Sequence, residues 1–385
     1  MKLAYITHSD SSDIHNWSGT TYYTRCAFND SGIQTIPIGN LKEGYHYLTT
    51  SVKKVMYMLF SSKYYSRQLD PAVSRYFCKQ AEKSLSSIDC DAVFLAGGGG
   101  YVPLSYVRTE KPIIFWHDST FAGMGEFPPA CTNFCNETLR NGNRMQQLLL
   151  SKCRLAIFSS EWAAGTALKY YDVDPAKVKV VPYGANIECH RDIPEIKKIF
   201  SNKNFDVCKL LFVGMDWFWK GGDVAVKVAE LLNQRGVQTE LHVVGCRPPG
   251  EMPDFVKHYG FISKKTEQGR NLLDNLYSKA HFLILPTRAE CYGIAFAEAS
   301  SFGLPSLATD VGGVTTAIHN GRNGQTFSPS DDPEKYCQYI LGLMSDREEY
   351  ERLSLSSFQE YSERLNWKTA GEKARGLILE FCGPK

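Results

Sequence analysis

Several patterns are missing from this chain, and each absence excludes something. No C-x-x-C occurs among the twelve cysteines, and the closest pair is Cys131 and Cys135. That spacing argues against a zinc site or a secreted disulfide framework, and for reduced, mostly buried thiols of a cytosolic protein. No apolar stretch reaches the roughly 18 residues that mark a membrane span. The N-terminus, MKLAYITHSDSSD, carries one lysine and an apolar run too short for a secretory signal. Neither sign of charge dominates: 43 Lys and Arg stand against 41 Asp and Glu, a net +2. A nucleic-acid partner held by a broad basic field is therefore not expected. There is no G-x-x-x-x-G-K-[ST] P-loop, and no G-x-G-x-x-G dinucleotide fingerprint follows a strand. No D-x-D pair stands at the exit of a strand to suggest a manganese site, so neither a metal nor a cofactor is expected.

What is present reads as an enzyme of ordinary composition. At 385 residues the chain exceeds the roughly 250–300 residues at which single cores stop growing, so two or three domains are expected. Apolar residues at 43% and charged residues at 22% exclude disorder, collagen and coiled coil. Short apolar runs alternate with longer amphipathic stretches. The expected strands are Leu3–Thr7, Ala92–Ala96, Ile113–Trp116, Leu155–Ser159 and Lys179–Val181, then Leu210–Val213, Glu240–Val244, Phe282–Leu285 and Ser306–Ala308. Such runs between helices mean parallel strands in an α/β fold. The polar stretch around Pro194 lacks periodicity, which puts a linker at 188–205. It separates an N-terminal domain, 1–187, from a second domain, 206–366, with a helical segment at 367–385 crossing back to the first. Two Rossmann-like, doubly wound domains facing across a cleft are the expected architecture. Ligands of such sheets bind beyond the carboxyl ends of the strands, so the loops there carry the chemistry.

The loop Gly214–Asp223 (GMDWFWKGGD) follows the strand Leu210–Val213. Lys220 and two glycines stand before an expected helix, Val224–Arg235, with Asp223 as its N-cap and Gly236 past its end. An ammonium, glycines that let backbone N–H groups approach, and a helix N-terminus suit a phosphate. A glycine turn that only links strand to helix would look the same. The loop Glu290–Glu298 (ECYGIAFAE) follows the strand Phe282–Leu285 and the turn Pro286-Thr287-Arg288. If a helix opens near Gly293, Glu290 sits at its mouth and Glu298 about one and a half turns inside. Two carboxylates could then grip hydroxyls at two places on one extended ligand, with the N–H groups of Gly293, Ile294 and Ala295 aimed at a phosphate between them. A capping Glu290 and a solvated Glu298 would be the plainer alternative.

The stretch ECYGIAFAEASSFGLPSLATDVGG, Glu290 to Gly313, resembles the signature of the family-4 retaining glycosyltransferases (glycosyl transferases group 1) of the GT-B fold. Two glutamates separated by seven residues, a G-x-P and a GG turn make up that signature. LLFVG…KGGD is similar to the family's phosphate-binding strand, loop and helix, FSSEWAAG…KVKVVPYGAN to its last N-domain strand and hinge, and Gln325–Phe327 to its closing turn. The match covers 155–330 in order and the N-terminal half more loosely.

The resemblance implies a retaining, metal-independent hexosyltransferase. Its donor would be a nucleotide diphosphate sugar, with UDP as the nucleotide. Glu290 would hold hydroxyls of the donor sugar, Glu298 the ribose, and Lys220 the diphosphate. Cys291, Tyr292, Gly293, Ile294 and Ala295 would line the donor, Cys291 as a small neutral neighbour of Glu290. Tyr259–Ser263, with Phe261 and Ile262, resembles the part that packs on the nucleobase. Where the family often has an arginine ahead of the lysine, this chain has Asp216 and Trp217, which leaves Lys220 as the main cation unless Arg288 helps. In the N-terminal half Gly19, preceded by Ser18 rather than a second glycine, could approach the phosphate or the acceptor. His117, at the end of its strand, would lie beside the donor sugar; a lone histidine is more often structural, and its strand-end position argues otherwise. Gly97–Gly100 is expected to pack a cleft loop.

The expected acceptor is a sugar or a lipid-linked hydroxyl, in polysaccharide, glycolipid or other glycoconjugate synthesis. Segment 41–67 holds Lys42, Lys53, Lys54, Lys63 and Arg67 against Glu43 alone, interleaved with Tyr57, Phe60, Tyr64 and Tyr65. It suits peripheral contact with an anionic membrane on its inner, cytoplasmic face; the alternative is a buried helix with a solvated basic edge. The competing functions are a nucleotide-sugar hydrolase or epimerase, and a non-catalytic sugar- or nucleotide-binding protein.

Overall fold

Apolar runs of four or five residues become parallel strands here because helices cover both faces of each sheet, so every side chain along a strand leaves water. The computed structural model describes residues 1–42, 44–96, 104–127 and 133–383. Gly97–Gly100, Cys131 and Glu43 fall outside these. The chain forms two units, Met1–Pro182 with Trp367–Lys385, and Tyr183–Asn366.

In the first unit β1 (Lys2–Ile6) leads through α1 (Thr20–Asp30) to β2 (Gln34–Ile38). Next come α2 (His46–Ser61), α3 (Pro71–Leu85), β3 (Ala92–Ala96) and β4 (Ile113–His117). The short α4 (Phe121–Met124) and α5 (Asn136–Lys152) lead to β5 (Leu155–Phe158), and α6 (Glu161–Tyr170) to β6 (Val178–Val180). These strands pair in parallel in the order β2-β1-β3-β4-β5-β6. Helices begin where the sequence offers caps: Asp70 accepts from the Ala72 N–H with Pro71 in the first turn of α3, and Ser160 accepts from Ala163 at α6.

The second unit opens with α7 (Ile193–Ser201), then β7 (Cys208–Gly214), α8 (Gly222–Gln234), β8 (Thr239–Gly245) and β9 (Val256–Gly260). After these come α9 (Glu267–Lys279), β10 (Phe282–Leu285), α10 (Ile294–Ser300), β11 (Ser306–Thr309), α11 (Val314–Ala317), β12 (Gly324–Phe327), α12 (Pro333–Ser345) and α13 (Arg347–Arg364). All the strand pairs are parallel, in the order β12-β11-β10-β7-β8-β9. The chain starts in the middle at β7, runs outward through β8 to β9, then returns to the other side at β10. Strand order therefore reverses between β7 and β10, where an open α/β sheet leaves a crevice. The last helix, α14 (Trp367–Cys382), belongs to the first unit. There Trp367 meets Trp116 edge to face at 6.0 Å, and Arg154 Nε donates to the Phe381 carbonyl at 3.0 Å.

Three differences from the sequence expectations have clear causes. First, β2, β9 and β12 carry no continuous apolar run. They lie at sheet edges, where one side of the strand stays wet, and β2 accommodates Pro37 for the same reason. Second, residues 193–201, expected in a linker, are helical. Asp192 and Glu195 form a capping box around Pro194, and the helix is only nine residues long, so the helical spacing of Ile196, Ile199 and Phe200 spans little more than one turn. Third, Gly221 rather than Asp223 is the N-cap of α8, which starts at Gly222; Asp223 turns its carboxylate to Arg288 instead. Among the described residues no helix is long and apolar enough to cross a membrane.

Candidate functional site

The loops leaving β7 and β10 flank the crevice of the second unit, and their glycines fix how close they come. Gly221 has φ +75°, a left-handed conformation that disfavours any side chain, and a Cβ there would stand 2.0 Å from the Pro286 carbonyl oxygen. The two loops thus meet backbone to backbone. Arg288 N–H donates to the Trp219 carbonyl at 2.8 Å and Thr287 Oγ1 to the same oxygen at 2.9 Å. The Lys220 stem crosses Gly214, and its ammonium forms an ion pair with the Glu290 carboxylate. Glu290 is held from the other side, where its carbonyl accepts from the Gly313 N–H at 3.1 Å in the GG turn.

Gly293, at φ +89°, caps α10. The first N–H groups of a helix have no carbonyl one turn back to bond, so those of Ile294 and Ala295 are donors pointed out of the helix mouth. Deeper in, Glu298 is almost fully buried, and both its oxygens are engaged. One pairs with the Lys264 ammonium; the other accepts from the Tyr277 hydroxyl at 2.9 Å. Lys264 also donates to the Asn186 carbonyl at 3.2 Å. The segment after β9, with Phe261 exposed and Ile262 half-buried, is thereby anchored to Glu298 two residues further on. The expected nucleobase segment and the expected ribose carboxylate are brought together.

Other expected residues have partners of their own. Arg288 makes a two-point bond to Asp223 at 2.8 and 2.7 Å and lies over the Phe218 ring. This hydrogen-bonded guanidinium holds the Asp223 carboxyl below its ordinary range. Asp216 accepts from the Trp219 N–H at 2.7 Å and shapes the turn that presents Lys220. Tyr292 is buried, its hydroxyl donating to the Tyr183 carbonyl at 2.7 Å, so it anchors the loop from beneath. Cys291 is half-buried and directly follows Glu290 in the chain.

Lys264, Tyr277 and Glu360 escaped the sequence reading. Glu360, buried on α13, accepts from Arg322 at 2.7 Å and pairs with Arg364, which in turn donates to the Thr316 carbonyl at 2.6 Å, just past the GG turn. Only Lys264 carried a signal, as a lysine directly after the nucleobase segment. Among the described residues no three or more His, Cys, Asp or Glu groups are arranged to hold a metal ion.

Gly19 and His117 belong to the first unit. Gly19, at φ +91°, caps α1, and Trp17 and Ser18 before it also adopt positive φ. That turn lays the Trp17 indole on the His117 ring, with centroids 5.2 Å apart, while Phe115 stacks at 5.3 Å on the same ring. His117 is fully buried, and neither ring nitrogen has a hydrogen bond; the Asp118 carboxylate stands 3.5 Å from Nδ1, too far to count as one. Burial lowers the imidazole pKa to about 4, with the Ser119 backbone opposing the shift. The ring is therefore neutral at pH 7. Between the ordinary value of 6.5 and about 4, the unfolded chain binds a proton that the folded chain does not. Stability is then expected to be intact above pH 6.5 and to fall as pH drops toward 4, by on the order of 3 kcal/mol. Urea unfolding across that range, compared with His117→Gln, checks this; parallel curves for the two proteins would refute it.

Comparison with known proteins bears on these observations. Residues 208–346 match the family model described as Glycosyl transferases group 1. The whole chain superimposes on sucrose-phosphate synthase from Thermosynechococcus elongatus with a TM-score of 0.72, 14% identity, and 99% and 98% of the two chains covered. The fold is GT-B. Another GT-B neighbour, Anabaena HepE in complex with UDP-glucose, gives 0.65 at 14% identity over 99% and 100% of the chains. In sequence, the D-inositol 3-phosphate glycosyltransferase of Corynebacterium diphtheriae is 23% identical over 247 residues, 60% of this chain and 57% of that one. A second such enzyme, from Catenulispora acidiphila, is 28% identical over 206 residues, 49% and 47% of the two. The chain thus spans about half the length of the curated relatives it matches. The matched GT-B segment contains Lys220, Glu290 and Glu298; Gly19 and His117 lie outside it.

Proposed function

We propose that this protein is a retaining glycosyltransferase that moves a hexose from a UDP-sugar to a hydroxyl acceptor in glycoconjugate or polysaccharide synthesis, in the cytoplasm and without a metal. The observation that carries the reading is the pair of lysine–glutamate contacts at the crevice, Lys220 with Glu290 and Lys264 with Glu298. They put two carboxylates and two ammonium groups along one line of loops, a layout that suits a sugar, a diphosphate and a ribose. In this reading Glu290 takes the sugar hydroxyls, Glu298 the ribose, and Phe261 and Ile262 the base. The UDP-glucose bound to HepE supports the donor class, and the relatives' names support glycosyl transfer.

The chemical task is to stabilise charge on the departing diphosphate. The bond from the anomeric carbon to the phosphate oxygen breaks, the acceptor oxygen bonds from the same face, and the acceptor proton passes to the phosphate oxygen that leaves. Lys220 and the α10 N–H groups supply fixed positive potential where that charge grows. The test has two parts. Thermal shift across nucleoside diphosphates and their sugars is expected to single out UDP and a UDP-hexose. NMR of the product is expected to show retained anomeric configuration; an inverted product refutes retention. UDP released equally fast without any acceptor identifies a hydrolase instead.

A further inference from the structure

Helix α2 is amphipathic in the wrong sense for a soluble surface. A polar edge of the helix, with Thr50, Lys53 and Tyr57, faces the protein. Lys53 bonds Asp70 at 3.2 Å and Glu137 at 2.8 Å, the Tyr57 hydroxyl donates to Glu137 at 3.0 Å, and Thr50 is its single buried residue. Its apolar residues face away. Leu48, Val52, Val55, Met56 and Leu59 follow the i, i+4, i+7, i+8, i+11 spacing of one helical face, and together with Phe60 they are 49% to 83% exposed. The stripe runs most of a 16-residue helix, roughly 24 Å of unpartnered hydrocarbon. A buried helix with a solvated basic edge, the alternative left open by the sequence, does not describe it.

Its surroundings say what covers the stripe. From Gly44 to Leu69 there is not one Asp or Glu. Lys54 and Lys63 are exposed at its margins, and so are Tyr45, Tyr47 and Tyr64, side chains with an apolar ring and a polar tip. A second copy laid symmetrically on this face would bring lysine against lysine. An anionic surface with hydrocarbon beneath meets both features. We propose that α2 is a monotopic membrane anchor: its outward stripe enters the acyl boundary of an anionic phospholipid bilayer, with Lys54 and Lys63 on the headgroups. The inference stands on the helix alone and is independent of the transfer reading.

Flotation with vesicles tests it. The protein is expected to float with phosphatidylcholine vesicles containing 30 mol% phosphatidylglycerol, and to stay behind with phosphatidylcholine alone or in high salt. Val55→Asp/Leu59→Asp is expected to abolish flotation while leaving the unfolding midpoint and UDP affinity as they were. Lys54→Glu/Lys63→Glu is expected to weaken partitioning by roughly 30-fold or more. The proposal is overturned if the protein ignores both vesicle types or binds them equally. It is also overturned if light scattering shows a dimer that the two aspartates dissociate, which would make the stripe a contact between copies.

Discussion

Glu298→Ala is expected to weaken UDP binding by about 10- to 100-fold, the range set by one or two hydrogen bonds to a charged group. The carboxylate is buried on α10 and held at both oxygens, by Lys264 and by Tyr277. A group fixed in this way does not reorganise to receive a ribose hydroxyl, so most of its interaction appears as affinity. Removing it also strips the Lys264 ammonium of its counter-charge in a partly buried place. Glu298→Gln keeps the Tyr277 contact and is expected to fall between wild type and alanine. Titration calorimetry with UDP measures all three proteins, and urea unfolding shows whether the fold is intact. An unchanged UDP affinity in a folded Glu298→Ala protein would contradict the ribose role.

Lys220→Ala is expected to lower kcat/KM by about 10²- to 10³-fold, the usual cost of removing a preorganised stabiliser of transition-state charge. The loss belongs mainly in kcat, because the bridging oxygen gains most of its charge as the bond breaks, and an interaction that strengthens there acts on the chemical step. Lys220→Arg keeps the charge with altered reach and is expected to recover part of the rate. Lys220 is paired with Glu290, so in the proposed reaction donor binding would exchange that partner for the diphosphate and release Glu290 to the sugar. A loss below 10-fold, or one confined to KM, would remove Lys220 from the charge-stabilising role. Arg288 is a useful contrast, since its two-point bond to Asp223 already commits the guanidinium at the start of α8.

Most interior strands were legible because they hold an unbroken apolar run, as β1, β3, β4, β5, β7 and β10 do, whereas β8 and β11 mix polar with apolar residues. The edge strands were not, since half-wet strands such as β2 and β9 mix polar and apolar residues without a pattern of their own. The loops that bring charged groups beside glycines ahead of a helix could be read, at Lys220 before α8 and at Glu290 before α10, which carries Glu298. The cap of α8 was misassigned because Asp223 looks like a capping residue. Its carboxylate found a stronger partner in Arg288, far away in sequence.

By itself, then, the sequence determined the alternation of strands and helices, the two-domain α/β plan, and which loops hold charged groups beside glycines, all consequences of local composition and spacing. Tertiary structure decided the pairings. Lys264, in the loop after β9, and Tyr277, on α9, reach Glu298 on α10 from distant parts of the sequence, and Arg364, paired with Glu360, reaches the Thr316 carbonyl past the GG turn. It also decided direction: the part-buried bonds of Lys53 and Tyr57 to Asp70 and Glu137 turn the apolar stripe of α2 outward. Spacing along a chain fixes which residues share a face, and only packing against distant residues fixes where that face looks.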